Sequence, residues 1–261
     1  MNIHNLDHYF NWTMTYKKSS DFYLPYGRVV AKKSHPPIGS PELEKLIADF
    51  GKNNQYLAHN RTRNATAAWF VSHCATQARR ETYVKQLQDS MPVQVYGKCA
   101  MSFHKKDQRK VCSRQDEDEC YIMLEKKYRF YLSFENSLCG DYVTEKFFNI
   151  LKYDVIPVTF NGADMSSVAP PNSYVNALDF DTPKELAKFL QKISEDDALY
   201  ASYFWWRDYY QVKNSAQDRA QAYCDLCKKL NDPNEPNKVY HNMHQWWVSE
   251  SKCKKYSFRT P

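Results

Sequence analysis

From residue 67 onward, short apolar runs alternate with amphipathic stretches, and no other feature of the sequence limits the fold as strongly. The runs at 67–73, 93–97, 129–136 and 155–160 are typical of buried strands. The stretch 77–90 carries its apolar residues at helical spacing. Strands that alternate with helices predict an α/β fold, with a parallel sheet covered by helices on both faces.

The remaining segments are predicted from their prolines, caps and apolar spacing. The residues before 67 are polar and interrupted by prolines, with one helix predicted at 41–50. The polar stretch 99–119 is predicted to be a loop, and the acidic run 116–119 at its end is either solvated loop or the start of a helix. Thr182 and Glu185 form a capping box that opens a helix. A further short strand and further helices are predicted at 173–180, 196–210, 217–230 and 242–249.

Polar side chains are concentrated just after the predicted strand 129–136, where ligands bind in parallel sheets. Thr144 is predicted to cap a helix whose free N–H groups favour an anion, and Lys146 adds a positive charge. Glu145 can bind a pair of sugar hydroxyls. The site therefore suits a nucleotide sugar, although an ordinary strand-to-helix loop also contains a cap and polar residues. Arg79 and Arg80, near the preceding helix start, provide a second cationic element.

Charge and glycine content restrict the possible ligands. The formal net charge is +6, and the basic residues are spread along the chain. The densest basic run, at 251–256, is more typical of a solvated tail than of a nucleic-acid patch. The chain contains 6 glycines and no glycine-rich phosphate-binding motif. We therefore expect no nucleic-acid partner and no phosphate loop of that kind.

The cysteine content predicts an oxidising compartment. The chain has 8 cysteines, an even number that favours disulfides. Cys224 and Cys227 form a lone C-x-x-C, which lacks the second pair that a zinc site needs, so no metal site is predicted. We expect these two to bond to distant partners rather than to each other. Three glycosylation sequons agree with a secretory protein: Asn11, Asn60 and Asn64.

No apolar segment of membrane-spanning length and no signal peptide are found in the sequence. A disulfide-rich, glycosylated chain still has to enter the secretory pathway. We therefore expect this chain to be the lumenal part of a longer protein that is anchored through a missing N-terminal segment.

Several long motifs resemble the α1,3-fucosyltransferases. The stretch 130–148 resembles the family signature, with its F-E-N-S and D-Y-V-T-E-K core. The segments 9–27, 69–87, 179–190 and 199–207 and the late C-x-x-C also match the family in order. The resemblance covers nearly the whole chain and is nearest to the invertebrate and plant-like members that act on glycoproteins.

This resemblance implies a GT-B fold, with a Rossmann-like domain that binds GDP-fucose and a second, N-terminal acceptor domain. By position, Arg80 and Lys146 would contact the donor phosphates, with Arg79 as the rival of Arg80. Ser72 would form the floor of the site. The other implied donor-site residues line the nucleotide and fucose: Tyr131, Asn136, Tyr142 and Glu145. Glu135 is a weaker candidate, and its alternative role is a structural hydrogen bond.

The implied reaction is transfer of L-fucose from GDP-fucose to N-acetylglucosamine of glycoprotein N-glycans or related glycans, with inversion. A carboxylate base accepts the acceptor proton, and no metal or other cofactor is required. The family's carboxylate lies upstream of the segment that matches this chain, and none of the early acids matches it: Asp7, Asp21, Glu42 and Glu44. The base is therefore expected upstream of residue 1.

The expected domains are an acceptor-domain remnant at 1–66, a GDP-fucose-binding domain at 67–232, and a C-terminal helix with a basic tail at 233–261. The full-length protein is expected to be a single-pass type II membrane protein of the Golgi lumen. Two other functions stay open. One is a non-catalytic GDP-fucose- or glycan-binding protein of the family that lacks the base, and the other is a purely structural lumenal domain.

Overall fold

The computed structural model describes residues 3–58, 67–104 and 117–257. The strands are β1 Met14–Thr15, β2 Phe22–Tyr23, β3 Gly27–Ala31, β4 Ala67–Phe70, β5 Val93–Tyr96, β6 Phe130–Phe134, β7 Ile156–Phe160, β8 Val175–Asn176 and β9 Tyr210–Asn214. The α-helices are α1 Pro41–Asn53, α2 Arg80–Gln88, α3 Glu117–Lys127, α4 Glu145–Phe148, α5 Pro183–Glu195, α6 Asp197–Ser202 and α7 Ser215–Leu230. A π-helical turn spans Gln245–Ser249.

The central sheet has five parallel strands in the order β5-β4-β6-β7-β8. The chain therefore crosses from β4 to β5 on one side and returns to β6 on the other side of β4. This reversal creates a topological switch point between β4 and β6. Ligands of open α/β sheets bind in the crevice outside the carboxyl ends of the strands at such a point.

Alternate residues of the strands face different layers, as the two-residue period of a strand requires. Trp69, Leu132 and Val158 belong to the large buried cluster that includes residues of α2 and α5. Tyr131, on the opposite face, packs in a second cluster with Tyr121 of α3. Helices therefore cover both faces, and the predicted α/β fold with a parallel sheet is confirmed.

The extent of helix α3 was not predicted from the sequence. The stretch 99–119 was predicted to be a loop, and its acidic run fits either a solvated loop or a helix start; α3 begins at residue 117 and extends to Lys127. The acidic run hides the helix, because Asp and Glu near a helix start are equally typical of a solvated loop. Residues 105–116, which include Cys112 and Asp116, lie outside the described part of the chain.

Long-range pairing joins the N-terminal region to the rest of the molecule. Strand β3 pairs antiparallel with β9, with Val29 opposite Val212. The helix predicted at 196–210 is wrong beyond residue 202. Helix α6 ends at Ser202, a separate 3₁₀ turn spans Trp205–Asp208, and Tyr210 begins β9, whose backbone pairs with β3. Helix α1 packs on α6, so closely that a side chain at Gly51 would meet the carbonyl oxygen of Ala198 at 2.3 Å.

The disulfides agree in part with the cysteine prediction. Cys74 bonds to Cys99, and Cys139 bonds to Cys253, 114 residues further along the chain. The prediction that Cys224 and Cys227 bond to distant partners is wrong for the described residues, because both are free and exposed on α7. None of the helices described here combines the length and apolar character needed to cross a bilayer.

Candidate functional site

A cleft of ≈ 840 Å³ opens at the carboxyl ends of β4 and β6, beside the switch point. We call it the charged cleft. Its lining residues are Phe70, Val71, Ser72, His73, Arg80, Gly97, Lys98, Cys120, Tyr121, Tyr131, Asn136, Glu145 and Lys146. Most of the predicted donor-site residues are therefore brought together here, although they come from separate elements of the sheet.

Lys146 is held in place by three oxygen atoms. Its Nζ lies 2.8 Å from Thr144 Oγ1, 3.2 Å from Glu135 Oε2 and 3.1 Å from Glu145 Oε1. Its backbone carbonyl accepts a hydrogen bond from Ser133 Oγ. The ammonium group is therefore a positioned cation at the edge of the cleft, with its charge partly offset by two carboxylates.

The N-cap residue of α4 is bonded to a buried carboxylate. Thr144 does occupy the N-cap position of α4, but its side chain makes no capping bond. Its N–H and its hydroxyl instead donate to the fully buried Glu135 carboxylate at 2.8 Å. Burial raises the pKa of Glu135, an effect that Lys146 partly offsets. Because the Glu135 carboxylate accepts from both the N–H and the hydroxyl of Thr144, we assign it the structural hydrogen bond.

Arg80 connects the two strand ends that form the cleft. Its guanidinium donates to the carbonyl oxygens of Phe134 and His73 and lies 5.4 Å from the centre of the Trp69 ring. Only 2% of the residue is exposed, and burial lowers its pKa. Arg79, its rival for the role, is exposed and does not line the cleft. Arg80 is thus the arginine at the cleft, and it also has a structural role.

The charged cleft holds unsatisfied polar atoms among the residues that the structure describes. Asn136 Oδ1 and Arg80 Nε are buried without a hydrogen-bond partner. A buried acceptor or donor without a partner costs folding free energy unless a ligand or a water molecule forms the missing hydrogen bond. Tyr131 lines the same cleft, and burial raises its pKa well above the ordinary value. Ser72 lines the cleft and is exposed there, and its place at the floor of a donor site stays a prediction.

Sequence reasoning missed several residues of the charged cleft. His73 and Lys98 follow β4 and β5, so the rule that ligands bind at strand ends could have found them. Tyr121 could be placed at the cleft only once helix α3 was known. Gly97 has φ +92°, and a side chain there would meet the Val71 carbonyl oxygen at 2.6 Å. Glycine at this position therefore allows the loop after β5 to pass close to the loop after β4.

Tyr142 is the predicted donor-site residue that the structure places elsewhere. It lines a neighbouring cleft of ≈ 850 Å³, which we call the aromatic cleft. The lining residues are Met14, Thr15, Tyr16, Leu24, Pro25, Tyr26, Gln77, Ser137, Cys139, Tyr142, Ser215, Arg219, Trp247, Val248, Ser251 and Cys253. Burial, and then the Glu135 carboxylate, raises the pKa of Tyr142.

Other predicted site features are only partly described. Asn11 is exposed, and its Nδ2 donates to the carbonyl oxygen of Lys238 at 2.8 Å. The sequon residues Asn60 and Asn64 lie outside the described residues. Within residues 3–58, 67–104 and 117–257, no group of three or more His, Cys, Asp or Glu side chains could hold a metal ion.

The sheet order and the cleft at its switch point define the class of protein, a Rossmann-like α/β domain. The fold of its structural neighbour identifies the GT-B type. The crystal structure of an alpha1,3-fucosyltransferase with GDP-fucose shares this fold. It superposes with a TM-score of 0.52 at 17% sequence identity, over 80% of this chain and 57% of that one.

Sequence comparison identifies the family. A family model described as "Glycosyltransferase family 10 (fucosyltransferase) C-term" matches residues 60–246. Alpha-(1,3)-fucosyltransferase C of Drosophila melanogaster is 40% identical over 94% of this chain and 56% of its own length. Glycoprotein 3-alpha-L-fucosyltransferase A of the same organism is 32% identical over 95% of this chain and 45% of its own length. The chain belongs to glycosyltransferase family 10, and it spans about half the length of these relatives.

Proposed function

We propose that the charged cleft binds GDP-fucose and that the chain takes part in transfer of L-fucose to N-acetylglucosamine of glycoprotein N-glycans, in α1,3 linkage and with inversion. The observation that carries this proposal is the pairing of two positioned cations, Arg80 and Lys146, with the orphan Asn136 oxygen in one cleft. Family membership supports the donor and the reaction. The names of the matched relatives, all transferases, do not favour the non-catalytic alternative.

In this proposal each residue of the cleft has a defined task. Lys146 and Arg80 neutralise the pyrophosphate, and they stabilise the charge that develops as the bond between fucose C1 and the phosphate oxygen breaks. Asn136 Oδ1 accepts a hydrogen bond from an N–H or O–H of the nucleoside, which gives this buried oxygen the partner that it lacks in the free chain. Glu145 is half exposed and can accept from fucose or ribose hydroxyls. The attacking acceptor oxygen loses its proton to a carboxylate that we do not assign within this chain.

The positions of these cations are fixed before any ligand binds. Lys146 is held by Thr144, Glu135 and Glu145, and Arg80 is held by two backbone carbonyls. Preorganised cations cost little reorganisation when charge develops on the leaving group. We further propose 67–232 as the donor domain, with 1–66 and 233–261 flanking it. We propose the Golgi lumen as its location, which the disulfides and the exposed Asn11 sequon support.

Calorimetric titration with GDP tests the site. Replacing Lys146 by Ala should weaken GDP binding tenfold or more, because a charge-assisted hydrogen bond contributes roughly 1.5–3 kcal/mol. The matched control is Lys152→Ala, an exposed lysine on the same surface segment that does not line the cleft. Equal affinity in the native chain and in Lys146→Ala would refute the assignment. Incubation with GDP-fucose and a panel of N-glycans, followed by mass spectrometry, tests the transfer.

A further inference from the structure

Segments near the two ends of the chain meet at a pair of histidines. Neither His8 nor His241 lines the charged cleft or the aromatic cleft, and both side chains are exposed. Their Nδ1 atoms lie 3.1 Å apart, although the two residues are separated by 233 positions in the sequence. The pair therefore exists only in the folded chain, where it joins the N-terminal segment to the C-terminal segment.

Backbone pairing holds the two segments in place beside the histidines. The His8 N–H donates to the Tyr240 carbonyl oxygen at 2.8 Å, and the Tyr240 N–H donates to the Phe10 carbonyl oxygen at 2.9 Å. Asp7 Oδ1 accepts from the Met243 N–H at 2.8 Å, which adds a third link between the same two segments. The histidine pair is therefore positioned by its neighbours before any ligand binds.

The backbone of His8 lies in the left-handed region, with φ 61°. A residue other than glycine enters this region at a cost in conformational free energy. Such conformations persist where the surrounding structure fixes them, and they are concentrated at binding and active sites. The strained backbone at His8 is therefore a second observation, independent of the contact with His241, that points to a ligand.

The separation of the ring centres shows how the two Nδ1 atoms are aimed. In a linear N–H···N hydrogen bond with the same nitrogen separation, the ring centres would be about 5.4 Å apart. The observed separation of the ring centres is 4.8 Å, with 76° between the ring planes. Two imidazoles that bind one metal ion at about 2.05 Å, with these nitrogens, would have centres about 4.8 Å apart. The rings are thus inclined toward a common point, as the ligands of one ion are.

The same geometry restricts the kind of ion. With metal–nitrogen distances of about 2.0–2.1 Å, the two Nδ1 atoms subtend about 98° at the ion. This angle lies between the right angle of neighbouring square-planar ligands and the about 109° of a tetrahedral site. Imidazole suits Cu²⁺, Ni²⁺ and Zn²⁺, and Cu²⁺ is bound most tightly in the usual order of divalent ions.

We propose that His8 and His241 bind one divalent transition-metal ion, Cu²⁺ most tightly, and that the ion links the N-terminal segment to the C-terminal segment. Water completes the coordination, since both side chains are exposed. The ion closes a loop of 233 residues, and a metal clip across so long a loop restricts the unfolded chain. The role of the ion is structural, and the site does not depend on the proposed function.

Calorimetric titration of the untagged chain with CuCl₂ tests the inference. The parent chain for this test carries Cys224→Ser and Cys227→Ser, because two exposed free thiols would also bind the ion. His8→Asn and His241→Asn should each weaken Cu²⁺ binding at least tenfold, because each removes one of two protein ligands. Asn tolerates the left-handed conformation, so His8→Asn keeps the backbone unchanged. His73→Asn, which replaces another exposed histidine, is the matched control and should bind Cu²⁺ like the parent chain.

Two further measurements identify the ligands and the link. Electron paramagnetic resonance of the Cu²⁺-loaded parent chain should show couplings from two imidazole nitrogens, and His8→Asn should lose at least one of them. Equimolar Cu²⁺ should raise the thermal unfolding midpoint of the parent chain but not that of His241→Asn. Mg²⁺, which prefers oxygen ligands, should leave the midpoint of the parent chain unchanged.

Three results would overturn the inference. The first is a Cu²⁺ affinity within twofold of the parent value in both His8→Asn and His241→Asn. The second is a resonance spectrum of the parent chain with fewer than two imidazole couplings. The third is a loss of affinity in His73→Asn as large as that in His8→Asn, which would place the ion elsewhere. Because both histidines of the pair are exposed, neither substitution should prevent folding, and metal-free unfolding curves check this.

Discussion

The charged and aromatic clefts lie side by side and have nearly equal volumes, but they are built in different ways. All the residues that line the charged cleft lie between positions 70 and 146 and follow from one sheet. The aromatic cleft takes its residues from 14–26, from 77 and 137–142, and from 215–253. The first is the product of a local βαβ topology, whereas the second exists only when distant parts of the chain meet.

The contacts that stabilise the two clefts differ in the same way, because those of the charged cleft are local and those of the aromatic cleft join distant parts of the chain. The charged cleft is held by polar contacts of Arg80 and Glu135 with neighbouring strand ends and α4. The aromatic cleft depends on contacts between the ends of the chain. The buried Lys17 ammonium lies 4.5 Å from the centre of the Trp246 ring, and Cys253 is bonded to Cys139. Stability of the aromatic cleft should therefore depend more on long-range links.

Removing Cys74–Cys99 or Cys139–Cys253, the two disulfides that lie wholly within the described residues, should give the largest effects. The double variant Cys139→Ser/Cys253→Ser opens a loop of 114 residues, which corresponds to about 5 kcal/mol of lost unfolding free energy. The variant Cys74→Ser/Cys99→Ser opens a loop of 25 residues, which corresponds to about 3.5 kcal/mol. Urea unfolding of each variant against the native chain measures both values.

Ligand binding by the same two variants sharpens the comparison. Loss of Cys139–Cys253 should change GDP affinity little, because this bond fixes the segment that carries Trp247, a residue of the aromatic cleft. Loss of Cys74–Cys99 should weaken GDP binding more, because this bond joins the loops that carry His73 and Lys98. If both variants lost GDP affinity equally, the separation of the clefts would not hold.

Replacing Arg80 by Met should have the next largest effect on the free energy of unfolding. It should directly weaken ligand binding in the charged cleft alone. The change keeps the length of the stem but leaves the Phe134 and His73 carbonyls without their donor. We expect the free energy of unfolding to fall by about 2–4 kcal/mol, since hydrogen bonds to charged groups contribute about 1.5–3 kcal/mol each. GDP affinity should fall at least tenfold, as measured by calorimetry below the unfolding transition.

Arg79→Met is the control for this change, because Arg79 is the neighbouring arginine but is exposed and absent from the cleft lining. It should leave GDP affinity unchanged. A stable Arg80→Met variant with native GDP affinity would show that Arg80 serves neither the sheet nor the phosphates.

The fold was predictable from the sequence where the signals are local. The parallel sheet followed from apolar runs between amphipathic stretches, and Thr182 does cap α5 through its hydroxyl. The pairing of β3 with β9 was not predictable, because it joins residues about 180 positions apart and neither strand has a hairpin signal. The extent of helix α3 was missed because its first residues are acidic.

The residues of the candidate sites also divide into those that local sequence signals predict and those that only the three-dimensional structure reveals. Asn136, Glu145 and Lys146 follow a recognisable strand, so their position at a sheet edge could be predicted. Glu135 could not be assigned from sequence, because only the geometry shows its carboxylate on the N–H of Thr144. Trp247 carried no signal of its own, since a tryptophan near a chain end is most simply explained by packing.

The smallest predicted effect is a pH dependence of donor binding that originates in Glu135. Its pKa is raised by burial, so the folded chain retains the Glu135 proton to a higher pH than the unfolded chain does. The stability from that proton is fully present below the unfolded pKa and is lost as pH rises through the folded pKa. Replacing Glu135 by Gln removes this dependence, so the native chain should gain stability over Glu135→Gln as pH falls toward the unfolded value of 4.5.

The same proton should act on the charged cleft and leave the aromatic cleft unchanged. Neutral Glu135 no longer offsets the Lys146 ammonium 3.2 Å away, so an anionic ligand gains attraction. We expect affinity for GDP-fucose, whose phosphates stay ionised throughout, to rise about two- to fivefold as the pH falls toward 4.5. Both chains are measured with Gln in place of His73, which also lines the charged cleft. The rise should vanish in Glu135→Gln. A GDP-fucose profile that is equally steep with Gln at position 135 would show that Glu135 does not control the field at Lys146.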